Sequence, residues 1–196
     1  MEKRDNMIVY NAEPQGYSEQ AISLWESKGY AYKAGSWQEI DDNASFRQVE
    51  VLIVRLARKV DSSVLDRFPD IRIVCSATTG TDHIDIEEIN RRKIRLVCLK
   101  GHDEFLATIP STAEHTWALI MALVRKIPAA DRHVAKGGWN RDLFRGIQLK
   151  DKTIGIIGLG RTGKKVASYA SAFGMNISYY DPFVYNADYE KAINAK

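Results

Sequence analysis

Three glycines with the spacing Gly158, Gly160 and Gly163 follow a short, mostly apolar run from Thr153 to Ile157. The run has the composition of a strand that is buried on both faces. Gly158 permits a tight turn, Gly160 lets the backbone approach a pyrophosphate, and Gly163 allows the next helix to pack close to the strand. The spacing therefore predicts a dinucleotide-binding turn between a strand and a helix.

A helix follows the turn. Apolar residues recur at helical spacing over residues 161–173, and Gly174 is suited to end the helix. The backbone N–H groups of Arg161, Thr162 and Gly163 have no partner within a helix that begins there, and they lie at the positive end of its dipole. We expect these three groups to face the phosphates of the bound dinucleotide.

An acidic residue completes the pattern. Asp181 stands at the end of a predicted strand from Asn176 to Tyr180, about 20 residues after the glycines. Its carboxylate can accept hydrogen bonds from a ribose diol and would repel a 2′-phosphate, so NAD is expected rather than NADP. The alternative is a glycine-rich turn followed by an unrelated Asp-Pro turn. The complete series of strand, turn, helix, strand and acid favours dinucleotide binding.

Composition restricts the kind of protein. The chain has 196 residues, 45% hydrophobic content and a net charge of +3, which suits one domain and part of another. Its basic clusters lack the interleaved aromatic residues of a nucleic-acid surface, and no membrane span or secretory signal is evident. We therefore expect neither a nucleic acid nor a membrane as partner. Cys75 and Cys98 are expected to be reduced core residues of a cytoplasmic protein, with no metal site.

Strands and helices alternate along the first hundred residues. This alternation predicts an α/β unit with a parallel sheet that is covered on both faces. The predicted strands are residues 7–10, 30–32, 51–55, 71–75 and 94–99, and the predicted helices are residues 18–28, 62–68 and 84–92. Residues 100–110 read as a loop, which places a domain boundary between residues 1–105 and residues 106–196.

A long apolar helix is predicted from Ser111 to Val124. Ser111 and Glu114 have the spacing of a capping box, and Pro128 prevents the helix from continuing. Apolar residues lie on nearly all sides of this helix. We therefore expect it to be covered by its own domain and by a partner chain.

The segment of residues 129–149 differs from the helix in composition. It is charged, yet it carries Trp139 and Phe144, and Gly137 with Gly138 could form a hinge. Two interpretations remain open from the residues alone. The segment is either a surface loop that anchors two aromatic side chains or an arm that lies across another subunit.

The order of these motifs resembles the D-isomer-specific 2-hydroxyacid dehydrogenases, the family that includes phosphoglycerate dehydrogenase. The resemblance covers nearly the whole chain. It implies a flavodoxin-like parallel-sheet substrate domain, followed by the start of a Rossmann nucleotide-binding domain. The matching stretches are Val54-Arg55, residues 78–85 (TTGTDHID), 111–115 (STAEH), 139–141 (WNR), 152–163 and 180–182 (YDP).

The resemblance also implies roles for individual residues. Backbone N–H groups of Thr79 and Gly80 would bind the substrate carboxylate, Arg55 would lie near the substrate, and Thr112 would contact the cofactor. Each assignment has a plainer alternative. The loop of Thr79 and Gly80 could be a simple strand-to-helix turn, Arg55 a surface arginine at a strand end, and Thr112 a residue that only caps the first turn of a helix. The resemblance further implies a homodimer, formed through the helix of residues 111–126 and the arm of residues 129–149.

The catalytic residues of the family are expected outside this sequence. They are an arginine, a histidine and a glutamate that lie beyond the equivalent of Asp181, so none is assigned here and all three are expected beyond Lys196. The leading hypothesis is an oxidoreductase that transfers a hydride between NAD(H) and a 2-hydroxy or 2-keto acid, truncated here and inactive alone. The alternatives are a non-catalytic NAD-binding or regulatory module and a remnant without function.

Overall fold

The computed structural model of the chain describes residues 7–43 and 46–183. These residues form two compact units, with the division between Asp103 and Glu104. Both units combine parallel strands with helices, so the predicted α/β fold class is confirmed.

The first unit is built on a parallel sheet. Its strands have the order β2-β1-β3-β4-β5, which is the order of flavodoxin-like folds. The strands are β1 Met7–Asn11, β2 Tyr30–Ala34, β3 Val49–Val54, β4 Ile73–Ser76 and β5 Arg95–Cys98. The helices are α1 Glu19–Ser27, α2 Trp37–Asp42, α3 Ser62–Leu65 and α4 Ile86–Arg91.

The strand register brings several loops to one edge of this sheet. Asn11 of β1 lies opposite Ile53 of β3, and Val54 lies opposite Ser76 of β4. The loops that leave β1, β3 and β4 therefore start side by side. In open α/β sheets, ligands bind at this carboxyl edge of the strands.

The central strand of the sheet is buried on both faces. Leu52 and Val54 belong to one apolar cluster, and Val51 and Ile53 belong to another on the opposite face. All four side chains are at most 6% exposed. The edge strand β5 is less well covered by other elements, since its Val97 is 41% exposed.

The second unit contains the dinucleotide turn. Strands β6 Thr153–Ile157 and β7 Asn176–Tyr180 pair in parallel and are joined by α8 Arg161–Ala172. Trp117, Leu159 and Val166 form part of its core. The preceding elements are α5 Asp103–Ala107, α6 Ser111–Val124, α7 Ile127–Ala135 and a 3₁₀ turn at Arg141–Phe144.

The start of α6 differs from the prediction. Pro110, not Ser111, occupies the N-cap position, and no side chain caps the helix. The carbonyl of Pro110 accepts hydrogen bonds from the N–H groups of Ala113 and Glu114. The predicted capping box is therefore wrong, because Ser111 already has helical backbone angles and its hydroxyl is one position too late.

Two helices lie in segments where no helix was predicted. Helix α5 lies within residues 100–110, and α7 occupies Ile127–Ala135 at the start of the predicted arm. Pro128 does stop α6, and Lys126 turns the chain with a φ of 55°. Pro128 then lies in the first turn of α7, where a proline needs no N–H partner, so a second helix follows at once.

The prediction that β6 is buried on both faces is wrong for the described residues. Ile154 and Ile156 pack against the core of the second unit, whereas Ile157 is 93% exposed. Tyr180 of β7 is also exposed, at 69%. No described residue of this unit covers that face of the strand pair.

Candidate functional site

The dinucleotide turn has the geometry that its glycines predict. Gly158 has a φ of +92°, a backbone conformation that side chains disfavour. Its N–H donates to the carbonyl of Tyr180 at 2.8 Å, which ties the turn to β7. Leu159 is fully buried beneath the turn, and Gly160 is the N-cap residue of α8.

The other two glycines have opposite surroundings. A Cβ on Gly163 would overlap the carbonyl oxygen of Gly158 and lie 3.2 Å from its carbonyl carbon. A Cβ on Gly160 would meet no atom of the described residues within 4 Å. Gly163 is therefore required for packing of the helix against the turn, whereas Gly160 faces open space that a phosphate can enter.

The first turn of α8 offers hydrogen-bond donors. No side chain caps this helix of 12 residues. Within residues 7–43 and 46–183, the N–H groups of Arg161, Thr162 and Gly163 donate to no protein group. Together with the open space at Gly160, these donors fit the pyrophosphate of a dinucleotide.

Asp181 is in contact with the turn itself. Its Oδ2 accepts a hydrogen bond from the N–H of Leu159 at 2.7 Å, and its Oδ1 accepts one from the N–H of Phe183 at 2.8 Å. A carboxylate can accept several hydrogen bonds at once, so contact with the turn is compatible with a ribose diol as a donor to Asp181. The same side chain can thus hold the glycine turn and recognise the ribose.

The side chain of Arg161 has a role that the sequence did not indicate. Its Nη1 donates to the carbonyls of Leu106 and Ile109, at 3.2 and 3.3 Å. It thereby fastens the segment before α6 to the start of α8. Thr112, in the first turn of α6, is exposed, and its carbonyl accepts a bond from Thr116 at 2.8 Å.

The loop after β4 carries the predicted carboxylate-binding groups. Thr79 and Gly80 are exposed, and within the described ranges their N–H groups donate to no protein atom. Thr78 restrains the loop, since its hydroxyl donates to the carbonyl of Gly80 at 2.8 Å. The helix that follows begins after Asp85, whose side chain accepts a bond from Glu88 N, so Asp85 is its N-cap.

Arg55 lies one residue beyond β3, at the same edge of the sheet. Its Nη1 donates to the carbonyl of Gln15 at 3.2 Å, and the residue is exposed. Glu13, which the sequence did not single out, accepts bonds from the N–H groups of Arg55 and Ala57, at 2.9 and 3.3 Å. Glu13 thus fixes the loop that carries Arg55.

The two cysteines are free, and both are partly buried. Burial raises the pKa of the Cys75 thiol to about 11. Since the thiolate is the reactive form, Cys75 is a poor nucleophile near neutral pH.

No helix in the described part of the chain is both long enough and apolar enough to span a bilayer. Among the same residues, no group of three or more His, Cys, Asp or Glu side chains is placed to hold a metal ion.

Comparison with known families identifies the second unit. Residues 117–196 match the family described as D-isomer specific 2-hydroxyacid dehydrogenase, NAD binding domain. The predicted cofactor, NAD, is thus confirmed at the level of the domain family. The dinucleotide turn and Asp181 both lie inside the matched residues.

Curated relatives match over most of the chain. D-3-phosphoglycerate dehydrogenase of Archaeoglobus fulgidus is 40% identical over 181 residues, which cover 91% of this chain and 33% of the relative. The enzyme of the same name from Methanocaldococcus jannaschii is 36% identical, over 85% of this chain and 31% of the relative. The chain therefore spans about a third of the length of these curated relatives.

Solved structures share the fold. A protein of Thermus thermophilus has a TM-score of 0.76 and 25% identity, over 91% of this chain and 58% of that one. D-lactate dehydrogenase of Aquifex aeolicus, solved with NAD and lactic acid, has a TM-score of 0.74 and 24% identity, over 96% of this chain and 55% of that one. The family match and the curated relatives confirm the resemblance seen in the motifs: the chain belongs to the D-isomer-specific 2-hydroxyacid dehydrogenase family.

Proposed function

We propose that the complete protein is an NAD-dependent oxidoreductase that acts on the CH–OH group of a 2-hydroxy acid, or on the corresponding 2-keto acid. Bound NAD(H) would supply the chemistry by accepting or donating a hydride. The observation that carries the proposal is the dinucleotide turn, with open space at Gly160 beside the N–H groups that begin α8, which have no partner among the described residues.

Within this chain, we assign substrate binding to the first unit and cofactor binding to the second. Residues 1–105 would form the N-terminal part of the substrate domain, and residues 106–196 would form an incomplete NAD-binding domain. The exposed N–H groups of Thr79 and Gly80 would bind the substrate carboxylate, because backbone N–H groups with no protein partner are suited to an anion. Arg55, at the same sheet edge, would add a positive charge near that loop.

On the cofactor side, the turn would bind the pyrophosphate and Asp181 the ribose. The carboxylate of Asp181 accepts a bond from Leu159 N at 2.7 Å, which holds it beside the turn. A negative charge at this place would repel a 2′-phosphate, so we assign a preference for NAD over NADP. Thr112, exposed in the first turn of α6, would contact the cofactor as well. Two free cysteines are consistent with a cytoplasmic location.

We also propose a homodimer that forms through the helix of residues 111–126 and the arm of residues 129–149. In this region, Leu123 is 78% exposed and Trp139 is 92% exposed. Val134, Leu143 and Ile147 are each more than half exposed. Exposed apolar surface of this kind on neighbouring elements is typical of a protein interface.

Calorimetric titration of the full chain with NAD tests the proposed cofactor site. We expect saturable binding that is lost in Gly160→Val, because the valine side chain would fill the space left for the phosphates. Circular dichroism of the variant checks that the fold is retained. A folded chain that binds no NAD, or a Gly160→Val variant that binds it as well as the parent chain, would contradict the assignment.

A further inference from the structure

A continuous chain of hydrogen bonds lies beneath the loop of Thr79 and Gly80. Ser76, the last residue of β4, is only 4% exposed. Its Oγ lies 2.8 Å from the Oγ1 of Thr78 and 3.1 Å from the Nε2 of His83. Thr78 Oγ1 in turn lies 2.8 Å from the carbonyl oxygen of Gly80.

The donor and acceptor properties of these groups determine which group donates in each of these hydrogen bonds. A carbonyl oxygen can only accept, so the single hydroxyl proton of Thr78 is donated to Gly80. Thr78 must then accept from Ser76, which uses the single hydroxyl proton of Ser76. The bond between Ser76 and His83 is left with one possible donor, so the Nε2 of His83 carries a proton and donates it.

We propose that His83 is a positioning residue for the carboxylate-binding loop and acts on it through Ser76 and Thr78. This inference rests on the proposed function of Thr79 and Gly80. The hydrogen bond from Thr78 to the carbonyl of Gly80 fixes the orientation of the peptide unit between Gly80 and Thr81, because a peptide unit is planar. His83 therefore restrains a loop whose N–H groups must be held ready for an anion.

The loop needs such a restraint because it contains a glycine in open surroundings. Among the described residues, a Cβ on Gly80 would meet only the Oδ2 of Asp82, at 3.8 Å, so packing alone does not hold this residue. Glycine loses more conformational freedom on ordering than any other residue. A preformed loop avoids that loss at the moment of binding, which strengthens binding without a new contact.

Three variants separate positioning from general stability. His83→Leu removes the donor, and His83→Gln keeps an N–H group that can reach Ser76. His102→Leu is the matched control, because His102 is exposed and its side chain makes no hydrogen bond to the described residues. The probe is glycolate, the smallest 2-hydroxy acid, titrated into the full chain and followed through the ¹H–¹⁵N signals of Thr79 and Gly80.

We expect His83→Leu to bind glycolate roughly five- to tenfold more weakly, the effect of losing one hydrogen bond of ordinary strength. His83→Gln should stay within about twofold of the parent chain, and His102→Leu should be unchanged. Equal affinity in His83→Leu and the parent chain would contradict the positioning role alone. A parent chain that does not bind glycolate would instead contradict the proposed function of the loop.

The ring of His83 provides a readout that does not depend on glycolate. Long-range ¹H–¹⁵N spectra at about pH 9, where an ordinary imidazole is neutral, distinguish the two tautomers. We expect the proton of His83 on Nε2 in the parent chain. A proton on Nδ1 would overturn the inferred direction of the hydrogen bonds from His83 to Gly80, and with it the role of His83.

Discussion

Replacement of Gly163 by alanine should destabilise the second unit, although alanine is normally the better helix residue. Gly163 lies in the first turn of α8, over the glycine turn. A Cβ there would overlap the carbonyl oxygen of Gly158 and lie 3.4 Å from Cγ2 of Ile156. The overlapped atom is backbone, and it cannot rotate away as the end of a flexible side chain could.

Two opposing effects set the magnitude. Alanine in place of glycine within a helix ordinarily stabilises it by about 1 kcal/mol. Forcing an extra methyl group into a packed site typically costs about 1–3 kcal/mol. Because the overlap with Gly158 demands a backbone shift, we expect the second effect to exceed the first. With the packing cost at the upper end of its range, about 2–3 kcal/mol, the net loss should be about 1–2 kcal/mol, a factor of roughly 5–30 in the unfolding equilibrium.

Gly160→Ala is the matched control, since its Cβ meets no atom within 4 Å in the part of the chain that the structure describes. The φ of Gly160 is −73°, which alanine adopts readily, so stability should change by less than about 0.5 kcal/mol. NAD binding should nevertheless weaken by about tenfold or more, because the methyl group occupies the space proposed for the phosphates.

Urea denaturation followed by tryptophan fluorescence measures the stability of both variants, and calorimetry measures their affinity for NAD. Trp117 is buried in the core of the second unit and reports on its unfolding. The reasoning is refuted if Gly163→Ala is as stable as the parent chain. It is also refuted if Gly160→Ala binds NAD with unchanged affinity.

Three further predictions concern cofactor choice, activity and association. The chain should bind NAD more tightly than NADP, and Asp181→Ala should narrow the difference between the two affinities. Calorimetry that finds tighter binding of NADP to the parent chain would contradict the assigned preference for NAD. The chain of 196 residues should not turn over a panel of 2-keto acids with NADH, because the family's catalytic arginine, glutamate and histidine are expected beyond Lys196; absorbance loss above a control without enzyme would contradict this. The chain should dimerise or aggregate, because Leu123 and Trp139 are 78% and 92% exposed; a monodisperse monomer at micromolar concentration in light scattering would exclude the proposed interface.

Local patterns allowed much of the first unit to be predicted. The alternation of apolar runs and turns located all five strands of the sheet, with shifts at their ends. The helix predicted from residue 18 does begin there, since Ser18 caps α1 and its hydroxyl accepts a bond from Ala21 N at 3.2 Å. Such caps and turns depend on residues three or four positions apart, so the sequence alone contains the necessary information.

Other elements depend on context that a local pattern does not carry. Pro128 indicates where α6 must stop, but it also lies in the first turn of α7, where a proline is equally suited. Helix α2 follows Ser36, whose hydroxyl accepts from Glu39 N at 3.2 Å, yet its six residues are too few to show a clear periodicity. Short helices of this kind are stabilised by packing, as the burial of Ile40 indicates.

The candidate sites show the same division between what is local and what is distant. Each proposed site presents backbone N–H groups to its ligand, and glycines mark both positions in the sequence. The side chains that hold those loops are less visible, because Glu13 reaches Arg55 across 42 positions and Arg161 reaches Leu106 across 55. Glu13 belongs to none of the sequence motifs, and the dinucleotide motif assigns Arg161 a role for its backbone N–H group only, not for its side chain. A substitution at Glu13 should therefore disturb a binding loop while leaving every motif of the sequence intact.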